Sequence, residues 1–275
     1  MLVLTDEYRS SIFIFAASLE AFMPVTFDPD HLRDSLRPLV DAQPLSAEAR
    51  VYQRFYGLDL SARKVPAVSR LGRFGVDGFE VVAQVWWPPV PVATMFMFHG
   101  FYDHMGLYQH LIGWALSQNL AVMAFDLPGH GLSSGERAAI DSFDQYADVL
   151  QQVMARAQTL LPAPFYALGQ STGGAVLLNH LWRYPAQFAH IALCAPLILP
   201  RGWGAGRVFY WLLHHWVKRL PRGRSRSSQD ASFINFIDER DCLQSKTLSV
   251  RWVGAMKAWH RQFLHFSPRA TPLLV

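Results

Sequence analysis

Apolar residues along this chain fall in short continuous runs. Four of them, at 94–98, 121–125, 164–168 and 191–199, are bounded by turn residues, and helical patterns at 107–118, 143–160 and 174–184 lie between them. Strands without polar alternation are buried on both faces, and strands that alternate with helices predict a mostly parallel sheet flanked by helices, an α/β architecture. Ahead of these runs, residues 70–74 and 79–87 flank a Val76-Asp77-Gly78 turn, which reads as a β-hairpin.

The two ends of the chain break this rhythm. Residues 1–65 carry helical patterns at 30–39 and 46–55, separated by proline, and an apolar stretch at 12–23 interrupted by Glu20. That stretch is short of the ~20 residues a membrane-spanning helix needs, so it predicts an amphipathic helix packed on the core or lying on a surface. Beyond Pro200 come two aromatic helical stretches and a basic loop, and then Thr271-Pro272-Leu273-Leu274-Val275, which reads as the start of another buried strand. The expected organisation is an N-terminal helical extension (1–65), an α/β core (66–200), a cap insertion (201–266) and the beginning of a further core strand (267–275).

Composition narrows the setting. A chain of 275 residues with 51% hydrophobic and 17% charged residues can bury a full core. Its formal charge of +4 is too small to argue for nucleic acid as a partner. Two cysteines, Cys194 and Cys242, are too few for a disulfide framework and favour a reducing cytoplasm, and the N-terminus lacks the basic start of a secretory signal.

Chemistry concentrates at Gly169-Gln170-Ser171-Thr172-Gly173-Gly174, between an apolar strand and the helix that begins with Ala175, Val176 and Leu177. Strand, serine in a tight turn, then helix is the context of a nucleophile elbow, with Gly169 and Gly173 leaving room that a Cβ would fill. A serine at a helix N-terminus also meets backbone N–H groups and the positive end of the helix dipole. The loop His99-Gly100-Phe101-Tyr102-Asp103-His104 leaves the end of the neighbouring strand. The backbone N–H groups of Phe101 and Thr172 are therefore the candidate oxyanion donors. His99, His104 and His130 precede the serine, whereas this chain order places the acid and then the histidine after it, so they read as loop histidines. No metal or organic cofactor is expected.

These residues carry a specific resemblance. The run from His99 through Asp103-His104 to Leu107-Tyr108 is similar to the His-Gly, acidic-His, Arg-Tyr pattern of the monoglyceride lipase and lysophospholipase family, a serine aminopeptidase S33-type group of serine α/β-hydrolases. Leu107 stands where arginine is usual. The run from Asp126 through Gly129-His130-Gly131 to Arg137 resembles that family's next loop, and at the elbow Gln170 and Thr172 stand where His and Met are common. The resemblance implies an α/β-hydrolase fold with a helical cap, Ser171 as nucleophile, and an acyl-enzyme formed on a carboxylic ester of the monoacylglycerol or lysophospholipid class. It also implies that the triad acid follows the strand beginning at Pro272 and the histidine follows one strand more. Neither stretch is in the sequence, so the expectation is a C-terminally truncated chain without the last strand and helix, nearly inactive by itself.

The cap speaks to the substrate. Only basic charges fall between Arg201 and Arg226, around the apolar stretch of residues 208–213 with Trp216 and Val217. Such a helix covers an apolar pocket or dips into a lipid interface, giving peripheral membrane contact, while ordinary cap packing with a solvated basic loop accounts for the same pattern. The expected partner is a small acyl ester. An aminopeptidase-like amide hydrolase and a catalytically dead acyl-binding remnant are the alternatives.

Overall fold

The hairpin sets the edge of the sheet. In the computed structural model, which describes residues 26–40, 44–60, 66–200, 203–223 and 228–275, strands β1 (Val68–Val76) and β2 (Phe79–Trp87) pair antiparallel. Asp77 (φ 49°) and Gly78 (φ 79°) form the turn between them. Two positive φ values give the primed turn whose twist matches paired strands. Then follow β3 (Ala93–Phe98), β4 (Leu120–Phe125), β5 (Phe165–Gln170), β6 (His190–Cys194) and β9 (Leu273–Leu274). The seven-stranded order is β1-β2-β4-β3-β5-β6-β9, antiparallel only at β1–β2 and β2–β4. The mostly parallel sheet expected from the apolar runs is therefore present.

Both faces of this sheet are apolar, which is why its central strands show no polar alternation. On β4, Ala121, Met123 and Phe125 join one core cluster while Leu120, Val122 and Ala124 join the other. Phe96 and Phe98 of β3 face the first cluster and Met97 the second. Helices α4 (Phe143–Leu160), α5 (Thr172–Arg183) and α8 (Val250–Phe263) cover the first face. Helix α3 (Gln109–Ser117) covers the second face together with two N-terminal helices, α1 (Pro29–Ser35) and α2 (Ala47–Phe55).

Local chemistry starts and stops these helices. Asp28 caps α1 by accepting from the N–H of Asp30 at 2.9 Å, and Ser46 caps α2 by accepting from Ala49 at 3.1 Å. Helix α1 stops before residue 39, because Pro38 disfavours helical backbone in the residue ahead of it. At α4, Ser142 and Gln145 form a capping box. The apolar stretch at 12–23 lies outside the described residues.

Two expectations are corrected. Strand β6 ends at Cys194 and does not run to Leu199, because Ala195 takes a positive φ of 46° and the chain turns under the elbow, where the Leu197 N–H donates to the Ser171 carbonyl at 2.9 Å. In the region expected to form a cap, helix α6 (Trp203–Leu213) stops before Trp216 and Val217, which lie outside it. The rest of that region is a two-stranded antiparallel pair, β7 (Arg219–Pro221) with β8 (Thr247–Ser249), and a short helix α7 (Ala231–Asn235) running into a π-helical turn over Phe236–Arg240.

Arginines on the returning segments fasten this region to the core. Glu136 accepts from Arg219 at 3.0 Å and from Arg251 at 2.6 Å, and Arg251 also pairs with Asp141 at 3.2 Å. Among the described residues no helix is long and apolar enough to cross a membrane.

Candidate active site

Ser171 sits between β5 and α5 with φ 49° and ψ −111°, a left-handed backbone that a non-glycine residue adopts only under constraint. The constraint is visible in its neighbours. Its N–H donates to the Cys194 carbonyl at 3.0 Å, and its carbonyl accepts from Leu197 at 2.9 Å and from Ala175 at 3.2 Å. A Cβ on Gly173 would lie 2.3 Å from the Phe98 carbonyl oxygen, and one on Gly169 would lie 2.8 Å from the Gly173 carbonyl oxygen. Only glycine allows β3, β5 and the start of α5 to approach this closely. Both elbow glycines of the sequence reading thus stand at backbone contacts, and the serine is held at the helix N-terminus.

The loop after β3 lies against this turn. A Cβ built on Gly100 would be 3.5 Å from the Ser171 Cβ and 3.0 Å from Asp103 Oδ2, so Gly100, Ser171 and Asp103 meet at one point. Burial raises the Asp103 carboxyl to about 6, against the pull of His104 and Arg222. The Tyr108 hydroxyl bridges the two segments: it accepts from the Gly100 N–H at 3.3 Å and donates to the Gln170 side chain. Phe101 is half-buried, stacked on Trp252 of α8 with ring centroids 3.8 Å apart. Among the described residues, no group accepts from the N–H of Phe101 or of Thr172. Both N–H groups, the expected oxyanion donors, are thus without an acceptor among the described residues.

Each early histidine has a fixed place in the surrounding loops. His99 donates from Nδ1 to the Gly100 carbonyl at 2.9 Å and accepts at Nε2 from the Leu127 N–H at 2.9 Å. With both nitrogens used this way the ring is neutral, and burial holds its pKa well below the ordinary value. His130 donates from Nδ1 to the Pro128 carbonyl at 3.0 Å, and burial lowers it to about 4. His104 accepts at Nδ1 from Gly106 at 3.2 Å, so its Nε2 carries the proton and donates to Asp241 Oδ2 at 3.0 Å. Among the described residues no histidine or carboxylate bonds the Ser171 hydroxyl, and no cluster of side chains could hold a metal ion.

Three positioning groups escaped the sequence reading. Asp126, fully buried, accepts from the Met105 N–H and the Leu132 N–H, both at 2.7 Å, and so ties the loop after β4 to the one after β3. Asp241, assigned no role from sequence, is buried against His104. Tyr108 was matched as part of a motif and given no role. The His104 and Tyr56 partners of Asp241 are 137 and 185 positions away, and no local pattern announces such a bond.

Comparisons with known proteins agree with this geometry. The family model described as serine aminopeptidase, S33, matches residues 89–275. The chain is 35% identical to human monoglyceride lipase over 125 residues, 45% of this chain and 41% of that protein. It is 29% identical to the monoacylglycerol lipase of Mycolicibacterium smegmatis over 126 residues, 45% of each. The chain thus spans less than half the length of these curated relatives. The crystal structure of Paleococcus ferrophilus monoacylglycerol lipase superimposes with a TM-score of 0.58 at 18% identity, covering 76% of both chains, which shows a shared fold. With most of its length matched by that model, and with the sheet order and strained serine turn in place, the chain belongs to the serine aminopeptidase S33 family of α/β-hydrolases.

Proposed function

We propose that the protein hydrolyses carboxylic esters of lipid-like substrates, monoacylglycerols or lysophospholipids, through an acyl-enzyme on Ser171. The hydroxyl oxygen attacks the ester carbonyl carbon while a histidine base takes its proton, a residue that the family resemblance puts after the strand that would follow β9. The oxyanion is held by the Phe101 and Thr172 N–H groups, and the alcohol leaves with the proton. Water then releases the acid by the same steps. The observation that carries this reading is the positive φ of Ser171 at the N-terminus of α5, beside a loop whose Phe101 amide has no acceptor among the described residues.

The ester preference rests on the surroundings. Phe101, which follows the Gly100 that lies against Ser171, is half-buried and stacks on the buried Trp252, an apolar surrounding that suits an acyl chain better than a polar group. The same reading takes residues 201–266 as a cap over the core. Trp211 (70% exposed) and Trp216 (87% exposed) lie close in sequence to Arg207 and Lys218. Such a surface fits peripheral contact with an anionic membrane.

One observation favours a second reading. The Asp103 carboxylate beside Ser171 is a fitting partner for a substrate α-amine, as an aminopeptidase would need. Steady-state hydrolysis of a medium-chain monoacylglycerol and of an aminoacyl 4-nitroanilide by the product of the whole gene separates the two. The expected result is turnover of the glycerol ester that Ser171→Ala abolishes. Preference for the anilide would replace the lipase reading, and activity that survives Ser171→Ala would remove both.

A further inference from the structure

The loop that carries Phe101 is held from a part of the chain that the family match does not reach. His104 closes that loop: its carbonyl accepts from Leu107 at 3.2 Å and its Nδ1 accepts from Gly106 at 3.2 Å. Its other nitrogen donates to Asp241 Oδ2, and Asp241 Oδ1 accepts from the Leu243 N–H at 2.9 Å and from the Tyr56 hydroxyl at 2.9 Å. His104 (0% exposed), Asp241 (2%) and Tyr56 (3%) are all buried, so water cannot replace a bond lost among them. The Tyr56 ring also meets the His104 ring edge-on at 4.8 Å. Tyr56 follows helix α2, ahead of the matched residues 89–275.

We infer that Tyr56 is a positioning residue for the oxyanion donor: through Asp241 and His104, the N-terminal helical segment sets the Phe101 loop against Ser171. This rests on the ester-hydrolase reading of Ser171. The physical argument is one of constraint. A carboxylate fixed by donors on both oxygens holds His104 in a single tautomer and orientation, and His104 in turn fixes the backbone on which Phe101 sits. Without the Tyr56 hydroxyl, Asp241 Oδ1 keeps only the Leu243 N–H, and the carboxylate that orients His104 loses one of its three donors.

The molecule supplies its own control. Tyr52, one turn earlier on α2, is equally buried (0% exposed) and packs its ring at a tilt against Tyr56 with centroids 5.1 Å apart, but its hydroxyl has no partner among the described residues. Tyr56→Phe and Tyr52→Phe therefore each remove one buried hydroxyl from the same aromatic cluster and keep the rings. Only the first breaks the chain of bonds to the loop.

The test measures hydrolysis of p-nitrophenyl butanoate and amide hydrogen exchange across residues 99–108, in the product of the whole gene and in both variants. Tyr56→Phe is expected to lower kcat by about tenfold with KM within about twofold, because a small misplacement of a donor acts on the transition state and not on binding. It should also speed exchange in residues 99–108 while leaving β3 and β4 protected. Tyr52→Phe should match the parent in both readouts. If Tyr56→Phe behaves as Tyr52→Phe does, or speeds exchange without lowering kcat, the inference is overturned. Should Ser171→Ala leave the parent's turnover unchanged, the ester-hydrolase reading fails instead, and exchange alone then decides whether Tyr56 holds the loop.

Discussion

The two sides of the candidate site are built by opposite means. The elbow motif is short in sequence, and Gly169, Ser171, Gly173 and the start of α5 are held by backbone contacts, to Phe98 on β3 and to Cys194 at the end of β6. The loop after β3 is held by side chains instead, from Asp126 in the next loop, Asp241 within residues 201–266, Tyr56 in the N-terminal segment and Trp252 on α8. Packing of backbone against backbone tolerates no added atom, whereas a network of side-chain bonds can lose one member and relax. The elbow should therefore fail abruptly and the loop by degrees.

The sharpest break is chemical. Ser171→Ala should abolish ester turnover, with a loss on the order of 10⁶ if the residue acts as the nucleophile of a triad, and with little change in unfolding midpoint. Next is Gly173→Ala, whose new methyl must displace the Phe98 carbonyl from 2.3 Å. We expect a loss of about 3 kcal/mol in urea unfolding, since overpacked interiors cost up to roughly this much. Asp126→Asn tests the loop side: one of the two buried N–H groups of Met105 and Leu132 then faces an amide donor. The same urea experiment should show a loss of about 2 kcal/mol, the cost of one buried unsatisfied group.

Acid titration compares the sides more gently. Burial holds both His180, on the elbow helix, and His130, in the loop after β4, at about 4. A histidine with a depressed folded pKa stabilises fully above about pH 6.5, and that contribution is lost as the pH falls toward 4, because the unfolded chain takes up the proton first. Unfolding free energy should therefore decline over this window. His180→Gln should reduce the slope by up to about 1.4 kcal/mol per pH unit, the share of one proton, and leave the His130 share in place. The smallest effect belongs to the cap fastening. Glu136 is half exposed between Arg219 and Arg251, so Glu136→Gln should cost less than about 1 kcal/mol, a difference that disappears in 1 M salt.

The same contrast explains what could be read in advance. The apolar runs gave the central strands, because a strand buried on both faces has to be apolar throughout, and the Asp77-Gly78 hairpin followed from turn chemistry alone. Ser171, Gly169 and Gly173 were legible because the motif itself, between a strand and a helix, is local in sequence, although Phe98 and Cys194 that pack against it are not. Strand β6 was read too long, since Ile198 and Leu199 continue the apolar pattern after Ala195 has turned the chain. Asp241 looked like one more polar residue in a cap. Its bond to His104 joins positions 137 apart, and its bond to Tyr56 joins positions 185 apart. Residues 30–55 announced their helices but not their purpose, which depends on packing against the second face of the sheet.

The account stands on Ser171 as the activated nucleophile. Its most direct test is to treat the folded product of the whole gene with a fluorophosphonate and locate the adduct by peptide mass. A single phosphonylated residue at Ser171, blocked in advance by a monoacylglycerol substrate, is the result expected here. A folded protein that takes up no label, or takes it up at another residue, would contradict it.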